Sequence, residues 1–160
     1  MKTGNDEDVS TSTGESTGES TGEEKSHPCL LDTSALFTLI EDEPGADRVE
    51  LALKQVTTLV PWTVLLEMYY ITLQEEGQAE ADQRIALIRH LKVRILWDMD
   101  ESIVLTAAKL KANHRISLAD AIIAAFAIRC GAVLIHKNPE FEALTGLLRM
   151  EALPYKSVSQ

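Results

Sequence analysis

The sequence predicts an α/β domain built on a mostly parallel sheet that helices cover on both faces. Two observations support this prediction: short apolar or β-branched runs alternate with longer segments of helical periodicity, and the first of these runs lacks any polar residue. Parallel strands need long crossover connections, which the intervening helices would supply. A sheet of this kind is buried on both faces, so its strands are apolar.

The first half of the chain predicts two strands and four helices. The apolar run at residues 29–31 ends in Asp-Thr-Ser, which is typical of helix caps, so a strand there leads into a helix at 35–40. There follow a helix at 46–55, a strand at 57–60 and a helix that carries Glu67, with Pro61 suited to its first turn. An amphipathic helix at 79–91 comes next, and its core stripe comprises Ile85, Leu87, Ile88 and Leu91.

The second half predicts a strand at 93–97 and a helix at 101–112. Ser117 is the expected N-cap of the next helix, which has Asp120 at its third position and ends at Gly131. A fourth strand at 132–135 precedes a short helix that starts at Asn138-Pro139 and runs through Leu144. A last edge strand is expected at 148–152.

Residues 1–27 form an acidic low-complexity tail. They contain three tandem Ser-Thr-Gly-Glu repeats, and seven acidic residues against two lysines give a net charge of −5, half of the −10 of the whole chain. Low hydrophobicity with net charge predicts disorder. We therefore expect the folded domain to span 28–152 and a C-terminal tail to span 153–160.

The folded part also carries −5, which argues against nucleic-acid binding driven mainly by counterion release. Cys29 and Cys130 lack metal-ligand spacing, and two free thiols in a reducing cytosol are expected. No apolar run approaches the ~20 residues of a membrane span. The sequence thus predicts a cytoplasmic protein without membrane contact.

Three carboxylates lie within or beside apolar segments. Asp32 ends the first apolar run, Glu67 interrupts an apolar helix, and Asp120 opens an almost wholly apolar one. Buried carboxylates are normally neutralised, paired or bound to a metal, because an isolated buried charge is costly. In parallel sheets ligands bind beyond the carboxyl ends of the strands, where Asp32 and Asn138 are expected. The three acids therefore predict a shared cation site.

Each carboxylate also has a structural explanation. Asp32 could simply cap the first helix, Glu67 could pair with an arginine across the interior, and Ser117-x-x-Asp120 resembles a capping box. The donors are all oxygen atoms, and the four histidines are scattered and expected on the surface or in loops, which disfavours zinc. A shared site would suit Mg²⁺, or Mn²⁺, and phosphoester chemistry.

At these residues the chain resembles the PIN domain family, and specifically the VapC-type toxins of bacterial toxin–antitoxin pairs. The matching stretches begin with Leu-Leu-Asp-Thr-Ser-Ala-Leu at 30–36 and Thr-Val-Leu-Leu-Glu at 63–67. They continue with Ile-Ser-Leu-Ala-Asp-Ala-Ile-Ile-Ala at 116–124 and Ala-Val-Leu-Ile-His-Lys-Asn-Pro-Glu-Phe at 132–141. Each motif alone is weakly specific, whereas their order and spacing are quite specific.

The resemblance implies a three-layer α/β/α sandwich with magnesium-dependent endoribonuclease activity. It implies that Asp32 and Asp120 are direct or water-mediated metal ligands, that Glu67 completes the acidic cluster, and that Ser34 helps to hold it. It also implies an RNA substrate, a homodimer and inhibition by a small antitoxin protein that inserts a segment near the acidic site.

The fourth motif departs from the family pattern. The family typically has Ser or Thr, then an acid, at the positions of His136 and Asn138. Asn138 keeps an acceptor oxygen but lacks the charge, and Glu140 could substitute for it. The departure favours the main alternative, a non-catalytic PIN domain that acts as an RNA-binding or protein-interaction module.

Two other classes are disfavoured. A haloacid-dehalogenase-like phosphatase needs a second Asp at the position of Ser34, and a dinucleotide-binding fold needs glycines that residues 32–36 lack.

Overall fold

A five-stranded parallel sheet forms the centre of the computed structural model, which describes residues 26–155. Its strands are β1 (Cys29–Leu31), β2 (Thr58–Pro61), β3 (Arg94–Leu96), β4 (Val133–His136) and β5 (Met150–Ala152). They lie in the order β3-β2-β1-β4-β5, and each neighbouring pair is parallel. The predicted parallel sheet is confirmed, with β1 at its centre.

Six α-helices flank the sheet among the described residues, and they pack in three consecutive pairs. They are α1 (Thr33–Ile40), α2 (Ala46–Gln55), α3 (Trp62–Glu75), α4 (Gln78–His90), α5 (Glu101–Asn113) and α6 (Leu118–Cys130). A 3₁₀ helix at Pro139–Leu144 follows β4. This is the three-layer α/β/α sandwich that the sequence predicts.

The central strands and α6 supply the core. Leu30 and Leu31 of β1, Leu134 and Ile135 of β4, and Phe126 of α6 are essentially inaccessible to solvent. Each pair of parallel strands is paired over only two or three residues. The apolar surface buried on both faces of the sheet therefore stabilises it more than the few hydrogen bonds between strands do. The short apolar runs of the sequence are therefore sufficient as strands.

Element boundaries differ from the predicted ones by at most two residues, and one residue predicted in the core is exposed. Helix α1 begins at Thr33 because the Asp32 side chain already caps it. Pro61 ends β2, and α3 starts one residue later. Leu87, predicted in the core stripe of α4, is 46% exposed, whereas Ile88 is buried. A helix presents only part of its apolar residues to the core, and Leu87 lies outside that part.

The tail predictions meet the described residues only at their ends. The predicted disorder of 1–27 lies almost entirely outside those residues and stays a prediction. Leu153, predicted to begin the C-terminal tail, is 2% exposed, and its amide donates to the His136 carbonyl at 2.7 Å. Leu153 therefore belongs to the domain.

Both cysteines are free, as expected; Cys29 is buried and Cys130 is exposed. Within residues 26–155 no helix is long and apolar enough to cross a membrane.

One buried arginine joins three helices on one side of the sheet. The Arg84 guanidinium, on α4, pairs with Glu41 after α1 at 3.1 Å, with Glu76 after α3 at 2.7 Å and with Glu80 at 3.0 Å. It also lies 5.6 Å from the centre of the Phe37 ring. Because the arginine side chain is only 9% exposed while its partners remain partly solvated, its charge is compensated without full burial of the acids.

Replacing Arg84 by Ala should lower the free energy of unfolding by about 2 kcal/mol, because three partly buried acids lose their common counter-charge and Phe37 loses a contact. Arg89→Ala on the same helix is the matched control, since Arg89 is exposed, and it should change stability by less than ~0.5 kcal/mol. Urea unfolding of both variants checks the prediction. If Arg84→Ala unfolds at the same urea midpoint as the wild type, the Arg84 ion pairs are energetically neutral.

Candidate active site

The predicted site residues come from separate elements that meet at the carboxyl edge of the sheet. Asp32 directly follows β1, and Asn138 lies two residues beyond the end of β4, the neighbouring strand. Asp120 is the third residue of α6, and Glu67 lies in the first half of α3. Parallel strands end at one edge, which is why positions more than a hundred residues apart in the chain lie together.

Asp32 is both a helix cap and a buried acid. Its carboxylate, on a residue 2% exposed, accepts hydrogen bonds from the Ala35 amide at 2.8 Å and from the Ser34 hydroxyl at 2.9 and 2.8 Å. Burial raises the pKa of Asp32 to about 7; the hydrogen bonds from Ala35 and Ser34 oppose the shift, and the charge of Asp120 adds to it. The cap explanation is thus correct but incomplete, because capping alone does not require such burial.

Asp120 is the electrostatic centre of the cluster. Its amide donates to the Ser117 Oγ atom at 3.0 Å, which confirms Ser117 as the N-cap of α6. Burial raises the pKa of the Asp120 carboxyl to about 6 against a hydrogen bond from Ser117. A hydrogen bond shared with Glu140 and the charges of Glu67 and Glu140 raise it further. The pKa of Asp120 therefore depends on acids from two other segments of the chain.

Glu67 is half-buried and is held by a residue that the sequence prediction did not include. The Thr33 hydroxyl donates to Oε2 of Glu67 at 2.6 Å, which links the first turn of α1 to α3. Thr33 follows Asp32 directly, so one short segment positions both carboxylates. Its position between the candidate ligand Asp32 and the supporting residue Ser34 is the only sequence signal for this role.

Asn138 connects the end of β4 to the cluster. Its Nδ2 atom donates to Oδ2 of Asp120 at 3.2 Å, and its Oδ1 atom accepts from the Glu140 amide at 3.0 Å, which caps the 3₁₀ helix. Glu140 is exposed, although its charge reaches Asp120. Asn138 thus supplies a donor to an acidic site, where an acid would add another negative charge.

His136 is buried, at 1% exposure, and this corrects the expectation that all four histidines lie on the surface or in loops. It is the last residue of β4, and its Nδ1 atom lies 2.9 Å from the Asn138 carbonyl, which can only accept a hydrogen bond. Its ring meets the Phe141 ring edge-on with centres 5.1 Å apart. Burial lowers its pKa, so the imidazole supports the Asn138 turn as a neutral group.

Asp120 therefore interacts electrostatically with Asp32, Glu67 and Glu140, and it accepts a hydrogen bond from Asn138. Over residues 26–155, however, no three Asp, Glu, His or Cys side chains stand as a ready-made group that could hold a metal ion. The predicted convergence on one ion stays a prediction.

Comparisons with known proteins bear on the fold and the family. The family model described as "PIN domain" matches residues 29–147. A search of curated proteins gave no match.

Solved structures of toxin–antitoxin proteins resemble the chain along nearly their whole length. VapBC2 from Rickettsia felis, bound to a promoter DNA fragment, has a TM-score of 0.65 at 20% identity, over 78% of this chain and 98% of that one. VapBC-1 from nontypeable Haemophilus influenzae has 0.62 at 26% identity, over 77% and 96%. Mycobacterium tuberculosis VapC20, described as a Sarcin-Ricin loop cleaving toxin, has 0.62 at 20% identity, over 79% and 99%.

The family match covers most of the chain, and it includes Asp32, Glu67, Asp120 and Asn138. The parallel sheet flanked by helices agrees with that match in fold. The chain belongs to the PIN domain family.

Proposed function

We propose that this protein is a magnesium-dependent endoribonuclease and the toxin of a toxin–antitoxin pair. The observation that carries the proposal is the burial of Asp32 and Asp120 beside each other, with raised pKa values and with no ion pair to a basic side chain among residues 26–155. Such an arrangement is unfavourable in an isolated protein, and a bound cation would compensate it.

The donor set fits Mg²⁺. Asp32, Glu67 and Asp120 offer carboxylate oxygens, which hard cations prefer, and no cysteine lies among them. Magnesium commonly keeps several waters and uses substrate phosphate oxygens, so it does not require three protein carboxylates in direct contact. Bound there, it would polarise the phosphodiester and help to form an attacking hydroxide from water.

The residues of the chain position and tune the acids. Ser34 and the Ala35 amide fix the Asp32 carboxylate, Thr33 fixes Glu67, and Asn138 fixes Asp120. Asp32 and Asp120 also lie at the N-termini of α1 and α6, where the helix dipoles favour negative charge. The acids are thus preorganised to bind a cation. While no cation is bound, their burial lowers the stability of the fold.

The alternative function is a non-catalytic PIN domain that binds RNA or protein. Asn138 favours it, because the amide removes a negative charge from the cluster and already uses both of its polar atoms.

Asp32→Asn should reduce magnesium-dependent cleavage of a single-stranded RNA by at least about 10²-fold, in the range found when one preorganised electrostatic group is removed. Asp47→Asn is the matched control, since Asp47 is exposed on α2, and it should cleave at the wild-type rate. Time courses on a labelled RNA with and without Mg²⁺ check the prediction. Wild-type protein that binds the RNA but never cuts it would support the alternative.

The stability of the metal-free protein should fall as pH rises from 5 to 8. The pKa values of Asp32 and Asp120, about 7 and about 6 in the fold, exceed that of an ordinary Asp. The folded protein therefore holds extra protons between about pH 4 and pH 7, and this contribution to stability is lost as pH rises through the folded values.

Magnesium binds the deprotonated acids, so its stabilising effect should grow as pH rises. The increase in Tm on adding Mg²⁺ should therefore be larger at pH 8 than at pH 5.5. Thermal melts at both pH values, with and without Mg²⁺, check this. Asp120→Asn should abolish most of the magnesium effect and flatten the pH profile. If Mg²⁺ raises the Tm of that variant as much as the wild type's, Asp120 is a helix residue and not a ligand.

Asn138→Asp should have opposite effects on the free and the magnesium-bound protein. The change replaces the donor to Asp120 with a fourth carboxylate, so it should lower Tm without metal and enlarge the Tm increase on adding Mg²⁺. In cleavage it should lower the magnesium concentration for half-maximal rate. Asn138→Ala controls for loss of the hydrogen bond alone. An unchanged magnesium response in Asn138→Asp would make Glu140 the better candidate for a further oxygen donor.

We propose two protein partners, a second copy of the chain and a small antitoxin. Exposed Leu66, Tyr70 and Leu73 lie along one face of α3 and support the first. The acidic cluster supports the second, because an Arg or Lys from an inhibitor would form charge-assisted contacts there in competition with a metal.

If the neighbouring gene encodes a small protein, its co-expression with this chain should give a stable complex in which nuclease activity is lost. Light scattering after size exclusion should give a dimeric mass for the chain alone. A tight complex with full activity would contradict inhibition at the acidic site.

A further inference from the structure

A cavity of about 450 Å³ lies beside the acidic cluster, between α1, α3 and the segment that follows β4. The cavity shares Ser34 with the cluster, because Ser34 lines the cavity and its hydroxyl donates to the Asp32 carboxylate. Pro139, the residue after Asn138, lies on the same wall. A group in this cavity would therefore neighbour any phosphate that is bound at Asp32 and Asp120.

The walls of the cavity are mainly flat and apolar. Phe37, Ile71, Pro139 and Tyr155 line it. The Tyr155 hydroxyl donates to Glu142 at 2.6 Å, which fixes one edge of a ring that is 43% exposed. Aromatic and proline faces of this kind stack well on planar groups, and single-stranded RNA is recognised by stacking of its unpaired bases on such side chains.

The charge of the cavity is smaller than its three glutamates suggest. Glu41 is paired with Arg84 at 3.1 Å, and Glu43 is paired with Lys137 at 2.9 Å. Glu75, at the end of α3, is exposed and makes no hydrogen bond or ion pair within residues 26–155. The cavity therefore presents one carboxylate acceptor beside apolar walls, rather than a strongly anionic pocket.

We propose that this cavity binds an unstacked guanine base of the RNA, next to the scissile phosphate, with Tyr155 as a stacking face and Glu75 as the acceptor that selects the base. The proposal rests on the proposed ribonuclease function. Guanine presents N1–H and its 2-amino group side by side, so one carboxylate can accept from both. Uracil presents a single N–H between two carbonyl oxygens, which a carboxylate would repel.

A planar base fits these observations better than a basic side chain from a protein does. Two of the three glutamates already have cationic partners, so a second cation would gain less attraction than the count of acids suggests. The stacking walls, in contrast, gain contact area with any planar group.

Binding of RNA without cleavage tests the proposal independently of catalysis. The probes are labelled heptanucleotides of uridine that carry guanosine, inosine or uridine at the central position, measured by fluorescence anisotropy with Ca²⁺, which also binds oxygen ligands, in place of Mg²⁺. Wild type should bind the guanosine probe roughly tenfold tighter than the uridine probe, with inosine between them because it lacks only the 2-amino group. Equal affinity for all three overturns the proposal.

Variants assign the two roles. Glu75→Gln should reduce the guanosine preference to less than about twofold, since a charged acceptor is lost, while Glu50→Gln, an exposed change on α2, should leave it unchanged. Tyr155→Ala should weaken all three probes by about tenfold, through lost stacking, and Tyr155→Phe should restore most of that binding. A preference that survives Glu75→Gln, or a Tyr155→Ala variant that binds normally, overturns the assignment.

The outcomes also separate this proposal from the ribonuclease proposal. Cleavage without any base preference would refute the guanine pocket alone, whereas the absence of both cleavage and probe binding would refute both proposals. Displacement of the guanosine probe by N-acetylarginine amide, but not by guanosine monophosphate, would overturn the base assignment in favour of a protein partner.

Discussion

The hydroxyl of Ser34 connects the two central strands at the edge where the acids meet. It donates to the Asp32 carboxylate after β1 and accepts from the Lys137 amide after β4, at 2.7 Å. The Lys137 side chain then reaches Glu43 and the Pro44 carbonyl beyond α1. Since β1 and β4 are paired in register, this small set of contacts fixes the distance between Asp32 and the Asn138 turn. The geometry of the whole edge depends on it.

Burial of the acids at this edge lowers the stability of the fold in exchange for a set of closely placed carboxylates. Asp32 and Asp120 lie where a neutral side chain would be more favourable. The charge of Asp120 raises the pKa of Asp32, and the charges of Glu67 and Glu140 raise the pKa of Asp120. The core around them, with Leu30, Leu134 and Ile135 fully buried, supplies the stability that tolerates this cost. Unfavourable electrostatics confined to one edge of an otherwise consistent fold are typical of functional sites.

Sequence reasoning was sufficient for the order of the elements and for the burial of Asp32 and Asp120, while their role in binding a metal stays a prediction. Periodicity located the helices, and acids in apolar segments could not be ordinary surface residues. It was insufficient for Thr33 and His136, because their roles depend on contacts across elements. Thr33 matters through its hydrogen bond to Glu67, and His136, buried at the end of β4, packs edge-on against Phe141. Neither contact leaves a periodic signal in the chain.

The strand order has a consequence for how the protein is made. The edge needs β1 from the start of the domain and β4 from near its end, and α6 lies between them in the chain. A nascent chain emerging from the ribosome therefore carries Asp32 and Glu67 long before Asp120 and Lys137 can join them. Contacts of such high sequence separation form late in folding. Synthesis itself thus delays assembly of the acidic edge until the final part of the domain has been translated.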